Sequence, residues 1–203
     1  AGRLRLLREL EELKAAAAAA QARVAVAYAA SMVAAAQDSA QRDPDAGRLD
    51  SARRRQRQVA ARVATELGKA RRLSPHAGRH FLRTSRALVD QMPHTLSAMS
   101  DGKLSEFRAG IVVRETSCLS AQDRTEVDRH ICGDAEKVSL LGNHALEAAV
   151  KTAAYKIDPE VVTARAAYAV SQRTVTVRPA PDAMVWLTAL LPVAQGVAAY
   201  AAL

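Results

Sequence analysis

Apolar residues near the start of the chain recur at alternating steps of four and three, which is the spacing of a coiled-coil seam. The seam consists of Leu6, Leu10, Leu13, Ala17, Ala20, Val24 and Ala27. Alanine dominates the surrounding segment and has the highest intrinsic helix propensity. The pattern predicts a long helix over residues 3–37, within an Ala-rich arm over residues 1–37. Such an arm fits either one half of an intramolecular helical hairpin or a homodimeric coiled coil.

Residues 38–50 are predicted to be a linker. They contain Asp43-Pro44-Asp45 and Gly47, and both proline and glycine interrupt helices. Shorter helical patterns follow, so we expect a helical domain over residues 51–203.

This domain is expected to begin with a helix pair over residues 51–91. The first helix covers 51–67 and ends at Gly68. The second starts at Ser74-Pro75, because serine is a favoured N-cap and proline is favoured at the first helical position.

Further helices are predicted from capping serines and aspartates and from apolar spacing. They cover residues 94–100, 105–117, 120–132, 143–157 and 159–170. The pattern then alternates with a period of two at Thr174-Val175-Thr176-Val177, and a second β-rich run follows at 184–190, which predicts a hairpin over 173–190. A last helix is expected from Val197. The fold class is therefore mainly α, a helical bundle with a long N-terminal helix and one C-terminal β-hairpin.

Positive charge is concentrated in the predicted helix pair. The chain has a formal net charge of +8, whereas residues 53–86 alone carry eleven basic residues and one acidic residue, Glu66. The basic residues are Arg53, Arg54, Arg55, Arg57, Arg62, Lys69, Arg71, Arg72, Arg79, Arg83 and Arg86. Arginine donates forked hydrogen bonds to phosphate and to guanine, so these eleven residues are the candidate DNA-binding residues.

The second helix of the pair is predicted to be amphipathic. At 100° per residue its histidines and arginines fall on one side: His76, Arg79, His80, Arg83 and Arg86. The apolar and small residues fall on the other: Ala77, Phe81, Ser85, Leu88 and Val89. A basic second helix is what a helix-turn-helix reader of the major groove needs, although the segment 69–73 is long for the tight version of that turn. The alternatives are a solvated arginine face or an acidic protein partner.

Other chemistry has little support in the sequence. Aromatic residues make up 3% of the chain, too few for a single-strand stacking platform. His76 and His80 are four residues apart but lack the glutamate of the metalloprotease motif and a third ligand, so no metal site is predicted. Cys118 and Cys132 are expected to be small buried groups. We assign no catalytic residue and no cofactor to this chain.

The segments without charge are too short or too interrupted to span a bilayer. Residues 24–36 fall short of the required length, and residues 183–203 are interrupted by Pro192 and Gly196. We therefore expect a cytoplasmic protein without membrane contact. The chain begins and ends inside patterned segments, so we expect it to be a piece of a longer protein.

From Val59 onward the chain resembles the actinobacterial 13E12 repeat family. The likeness is carried by VATELGKARRLSPHAGRHFLRTSRAL (63–88), by SRALVDQMPHTLSAMSDGKLSEFRAGIVVRETSCLSAQDRTEVD (85–128) and by residues 155–203, where RPAPDAMVWLTALLPVAQG is the most specific part. In that family a domain of unknown function commonly precedes a small HNH nuclease module. The resemblance implies that such a module, with its divalent metal, lies beyond residue 203, and that enzyme activity belongs to it.

Two functions follow as expectations. The first is a DNA-binding or positioning module of an HNH-endonuclease-family protein, with double-stranded DNA as the partner of the arginine-rich helix pair. The alternative is a dimerisation or protein-interaction scaffold without direct DNA contact, in which a homodimer forms through the N-terminal helix.

Overall fold

The fold is taken from a computed structural model in which residues 2–42 and 49–202 are described. The described residues form ten helices and one two-stranded hairpin. The elements are α1 (Gly2–Gln41), α2 (Leu49–Ala70), α3 (Pro75–Gln91), α4 (Pro93–Ser100), α5 (Glu106–Glu115), α6 (Ala121–Cys132), α7 (Ala135–Ser139), α8 (Asn143–Ile157), α9 (Pro159–Ser171), β1 (Thr174–Pro179), β2 (Val185–Leu190) and α10 (Val193–Ala201). The predicted fold class is confirmed.

Some helix ends differ from the predicted ones. Helix α1 continues to Gln41 because residues 38–41 contain neither proline nor glycine, and α2 already begins at Leu49. The remainder of the predicted linker, with Pro44 and Gly47, lies outside the described residues. Helix α2 also passes through Gly68, where the following loop packs closely: a Cβ there would lie 3.1 Å from the carbonyl oxygen of Leu73. The short helix α7 was not predicted; its cap is the Asp134 carboxylate, which accepts a hydrogen bond from the Lys137 amide at 3.0 Å.

The chain divides into two compact units, residues 1–157 and residues 158–203. The predicted division into arm, linker and domain stays a prediction. Helix α1 belongs to the first unit because it packs against α2, α3 and α4. Helix α9, the hairpin and α10 make up the second unit.

Helix α1 packs against the other helices of the first unit through a stripe of alanines. These are Ala15, Ala18, Ala19, Ala22, Ala25 and Ala29, all buried. The predicted seam is not this packing face, since all seven of its residues are exposed. Helix α1 thus packs within its own chain, as in the first of the two alternatives, but through a different side of the helix. Small side chains permit a short distance between helix axes, which favours the alanine side for packing inside the unit.

Helix α3 is central in the first unit and contacts α1, α2, α4, α5 and α6. Its Leu82 joins Ala29 of α1 and Val63 of α2 in a buried cluster. Tyr28, Met32, Val59 and Leu67 pack against this cluster. The core therefore fixes α2 and α3 side by side.

The second unit is built around the antiparallel hairpin. Val175 pairs with Ala189 and Val177 pairs with Leu187, and residues directly opposite each other share one face of the ribbon. Both strands are exposed along their whole length. The expected start of α9 is confirmed, since the Asp158 carboxylate accepts a hydrogen bond from the Val161 amide at 2.9 Å.

Within the described residues, α1 is the one helix whose length and apolar composition would suffice to cross a membrane. A core helix of a soluble protein can pass the same test, and α1 buries its alanine stripe against other helices. The expectation of no membrane contact stays a prediction.

Candidate nucleic-acid interface

The helix pair α2 and α3 is joined by a short connection. Because α2 extends to Ala70, only residues 71–74 separate the helices, fewer than the sequence indicated. The Ser74 hydroxyl caps α3 as predicted, accepting a hydrogen bond from the Ala77 amide at 3.2 Å, and Pro75 occupies the first helical position. The connection has the three-to-four-residue length typical of helix-turn-helix units.

The amphipathic character of α3 is also confirmed. Its histidines and arginines, from His76 to Arg86, are all exposed. On the opposite side Ser85 and Leu88 are buried, and Ala77, Phe81 and Val89 are half-buried. The arginine side chains are therefore available to a ligand while the helix stays anchored in the core.

A cleft of about 560 Å³ lies between α2 and α3 and reaches α6. Its walls carry five arginines: Arg57, Arg79, Arg83, Arg86 and Arg124. Its other lining residues are small, apolar or neutral: Ala60, Ala61, Ala64, Leu82, Ala87 and Gln91. Among the described residues, no carboxylate lines the cleft. Five cations around one concave surface repel one another, and a bound polyanion relieves that repulsion. We call this feature the arginine cleft.

The structure brings four of the eleven candidate residues into the arginine cleft. Arg53 and Arg54 are exposed one turn before Arg57, so they extend its basic side along α2. Arg62 is exposed about 140° around the helix from Arg57, away from the cleft. Arg55 lines a second cleft, between α1 and α2, which shares Ala60 and Arg86 with the arginine cleft. Lys69 forms an ion pair with Glu66 at 3.6 Å.

Arg71 is held by contacts inside the first unit. Its guanidinium donates two hydrogen bonds to the carboxylate of Glu106, at 2.9 and 3.1 Å. It also lies over the ring of Phe81, 4.1 Å from the ring centroid. These contacts tie the α2–α3 connection to α5, so the side chain has a role in the fold. Its neighbour Arg72 is exposed and adopts a left-handed backbone conformation with φ 58°.

Arg124 on α6 is a cleft residue that the sequence did not reveal. Its Nη1 donates a hydrogen bond to Oε1 of Gln91 at 2.6 Å, and Nε and Nη2 both donate to the carbonyl oxygen of Thr116 at 3.3 Å. Burial lowers the pKa of the Arg124 guanidinium, and the Cys118 thiol opposes that effect. An arginine remains charged under such a shift. The side chain is thus a fixed cation at the end of the cleft.

The remaining candidates for chemistry are the histidines and the two cysteines. Within the described part of the chain, no group of three His, Cys, Asp or Glu side chains could hold a metal ion. Cys132 is buried as expected, whereas Cys118 is half-exposed, contrary to the prediction, because it lies in the turn between α5 and α6. Burial is the main cause that raises the pKa of the Cys132 thiol to about 11.

Most of the chain, including the residues of the arginine cleft, matches the model of a recognised protein family. The model of a domain of unknown function, DUF222, matches residues 25–203. The chain is therefore a member of the DUF222 family. None of the curated proteins, and none of the solved structures, is significantly similar to it.

Proposed function

We propose that this chain binds double-stranded DNA through the arginine cleft and positions it for an HNH-type nuclease module of the same protein. The observation that carries the proposal is the convergence of five arginines from three helices on one concave surface, which no carboxylate of the described residues lines. The context of a nuclease comes from the resemblance to the 13E12 repeat family. The divalent metal and the cleavage chemistry would belong to the HNH module.

The spacing of the arginines on α3 suits a row of phosphates. Arg79, Arg83 and Arg86 extend over seven residue steps, about 10 Å of helix length at 1.5 Å per residue. A duplex presents one phosphate per 3.4 Å of axis on each strand, so several phosphates fall within reach. Arginine also binds phosphate in a forked geometry, which fixes orientation as well as charge.

The shape of the site favours contact with the DNA backbone over insertion of α3 into the major groove. A recognition helix must protrude, whereas the arginines of α3 line a cleft whose other walls are α2 and Arg124 of α6. Backbone contacts position a duplex without reading its sequence. The proposal is therefore a positioning surface with little base specificity.

The test is fluorescence anisotropy of a labelled duplex, titrated with the whole chain across a series of salt concentrations. Arg79→Glu/Arg83→Glu should reduce affinity at least tenfold and lower the steepness of the salt dependence, by about 0.9 for each phosphate that the variant no longer neutralises. The matched control is Arg8→Glu/Lys156→Glu, which changes the net charge equally at two exposed positions outside the cleft. Circular dichroism verifies that both variants are folded.

The control distinguishes a specific DNA-binding surface from the general attraction of a basic protein to DNA. If both double variants weaken binding equally, the arginine cleft is not the contact surface. If the unmodified chain shows no binding at low salt, the proposal fails and an acidic protein partner becomes the better assignment for the cleft.

The scaffold function is favoured by a separate observation, the exposed apolar residues of α1. If the chain is a scaffold without DNA contact, the unmodified chain should not bind the duplex. Neither double variant should then change the anisotropy.

A further inference from the structure

The side of α1 that faces away from the core carries a continuous apolar stripe. With 3.6 residues per turn, the centre of the seam lies roughly 160° around the helix from the centre of the buried alanine stripe. Leu6, Leu10 and Leu13 of the seam are 56%, 48% and 64% exposed. One side of α1 is therefore used inside the first unit, and the seam is left for another helix.

We propose that the seam pairs with the same seam of a second copy of this chain, as a parallel two-stranded coiled coil. This inference goes beyond the DNA contact proposed above and does not depend on it. In the heptad register of the seam, Leu10 occupies position a, and Leu6 and Leu13 occupy position d. A parallel pair with a two-fold axis along the helices brings each leucine against its own equivalent.

The charged residues beside the seam identify the occupant as a second copy in parallel orientation. Glu9 occupies position g and Lys14 occupies position e, five residues later. In a parallel pair a g residue meets the e residue five positions on in the other helix, so two Glu9–Lys14 ion pairs flank the leucines. Both side chains are exposed and pair within α1 in the single chain, Glu9 with Arg5 and Lys14 with Glu11.

The antiparallel arrangement lacks this complementarity. When two seams run in opposite directions with their leucines still facing, position g meets g and position e meets e. Glu9 would then face Ala16, and Lys14 would face Leu7. Only the parallel orientation combines leucine layers with attractive flanking charges.

Sedimentation equilibrium of the whole chain through the micromolar range tests the proposal. The unmodified chain should be a dimer that dissociates on dilution, and Leu10→Glu/Leu13→Glu should be monomeric with an unchanged helical circular dichroism spectrum, since both leucines are exposed. The matched control is Leu4→Glu, at an apolar residue of α1 that is 74% exposed but outside the seam. This control should remain a dimer.

Charge exchange tests the orientation. Glu9→Lys should weaken the dimer about tenfold because two attractive pairs become repulsive, and Glu9→Lys/Lys14→Glu should restore it. A chain that is monomeric throughout the concentration range overturns the proposal. A dimer that survives Leu10→Glu/Leu13→Glu places the interface elsewhere, and a double charge exchange without recovery excludes the parallel arrangement.

Discussion

Gly78 of α3 lies directly against the backbone of α2 at Ala64. A Cβ atom at residue 78 would overlap the Ala64 carbonyl oxygen and would lie 2.9 Å from the Gly68 amide nitrogen. Both neighbours are backbone atoms, which cannot rotate away as a flexible side chain can. The close approach of α2 and α3, which shapes the arginine cleft, therefore depends on a missing side chain at this position.

Gly78→Ala should lower the free energy of unfolding by about 1–3 kcal/mol, the usual cost of overpacking, despite the better helix propensity of alanine. Urea unfolding followed by circular dichroism measures the change. The control is Gly110→Ala in α5, where, apart from the adjoining residues and the backbone of α5 itself, no atom of the described residues lies within 4 Å of the added Cβ atom. The free energy of unfolding of that variant should rise by about 0.5–1 kcal/mol. Equal stability of Gly78→Ala and the unmodified chain would show that α2 and α3 are not held as closely as described.

Helix α3 shows how far local sequence signals reach. Ser74 and Pro75 predicted its start, and the spacing of its arginines predicted its exposed side, because both depend on residues within a few turns. Arg124 gave no such signal. It enters the cleft through a hydrogen bond to Gln91, 33 residues earlier in the chain, and no local pattern encodes that contact.

Helix α1 shows a different reason for an incomplete prediction. Its sequence carries two stripes, alanines on one side and the leucine-containing seam on the other. Hydrophobic periodicity favoured the larger residues, whereas the fold packs the smaller ones because they allow closer helix contact. Spacing alone could predict the helix but could not decide which stripe would be buried.

Asp128 of α6 caps α4 from a different part of the chain, and we expect its replacement to be costly. Its buried carboxylate accepts hydrogen bonds from the backbone amides of His94 and Thr95, at 2.8 and 2.9 Å, while the N-cap residue Met92 provides no side-chain cap. Asp128→Asn removes the charge and replaces one carboxylate oxygen, which accepts a hydrogen bond, with an NH2 group. That group is a donor and would face a backbone amide that is also a donor. Stability should fall by about 2–3 kcal/mol in a urea titration.

The matched variant for this prediction is Asp90→Asn, at an exposed residue of α3. It should change stability by no more than about 0.5 kcal/mol. A similar small effect at Asp128 would mean that the amides at the start of α4 have other acceptors.

Ser85 offers the opposite case, a buried polar atom without a partner. Within the described residues, its hydroxyl oxygen lies in the core side of α3 with no hydrogen bond. Ser85→Ala should therefore raise the free energy of unfolding by up to about 1 kcal/mol, because a desolvated hydroxyl is removed and helix propensity improves. Thermal unfolding measures the change.

Thr116 provides the comparison for Ser85, since its buried hydroxyl donates to the carbonyl oxygen of Val112 at 2.8 Å. Thr116→Val should lower the free energy of unfolding by about 1 kcal/mol. Destabilisation of Ser85→Ala would reveal a hydrogen-bond partner of the Ser85 hydroxyl, such as an ordered water molecule.

The two cysteines should differ sharply in reactivity. Cys132 is buried and its thiol pKa is raised to about 11, whereas Cys118 is half-exposed. The thiolate is the reactive form, so at pH 8 a chromogenic disulfide reagent should titrate one thiol in the folded chain and two in denaturant. Cys118→Ser should abolish the reaction of the folded chain. Rapid reaction of that variant would show that Cys132 is accessible.

The raised pKa of Cys132 also predicts an alkaline loss of stability. The folded chain binds the thiol proton more tightly than the unfolded chain, whose thiol has the ordinary pKa of 9.0. The corresponding stabilisation is complete below pH 9 and is lost as the pH rises toward 11. The urea concentration at the midpoint of unfolding, measured between pH 8 and 10.5, should therefore fall more steeply with pH for the unmodified chain than for Cys132→Ala. The tyrosines and lysines still titrate in that variant, so it accounts for their contribution. Parallel decreases in the two proteins would mean that the thiol does not contribute to this pH dependence.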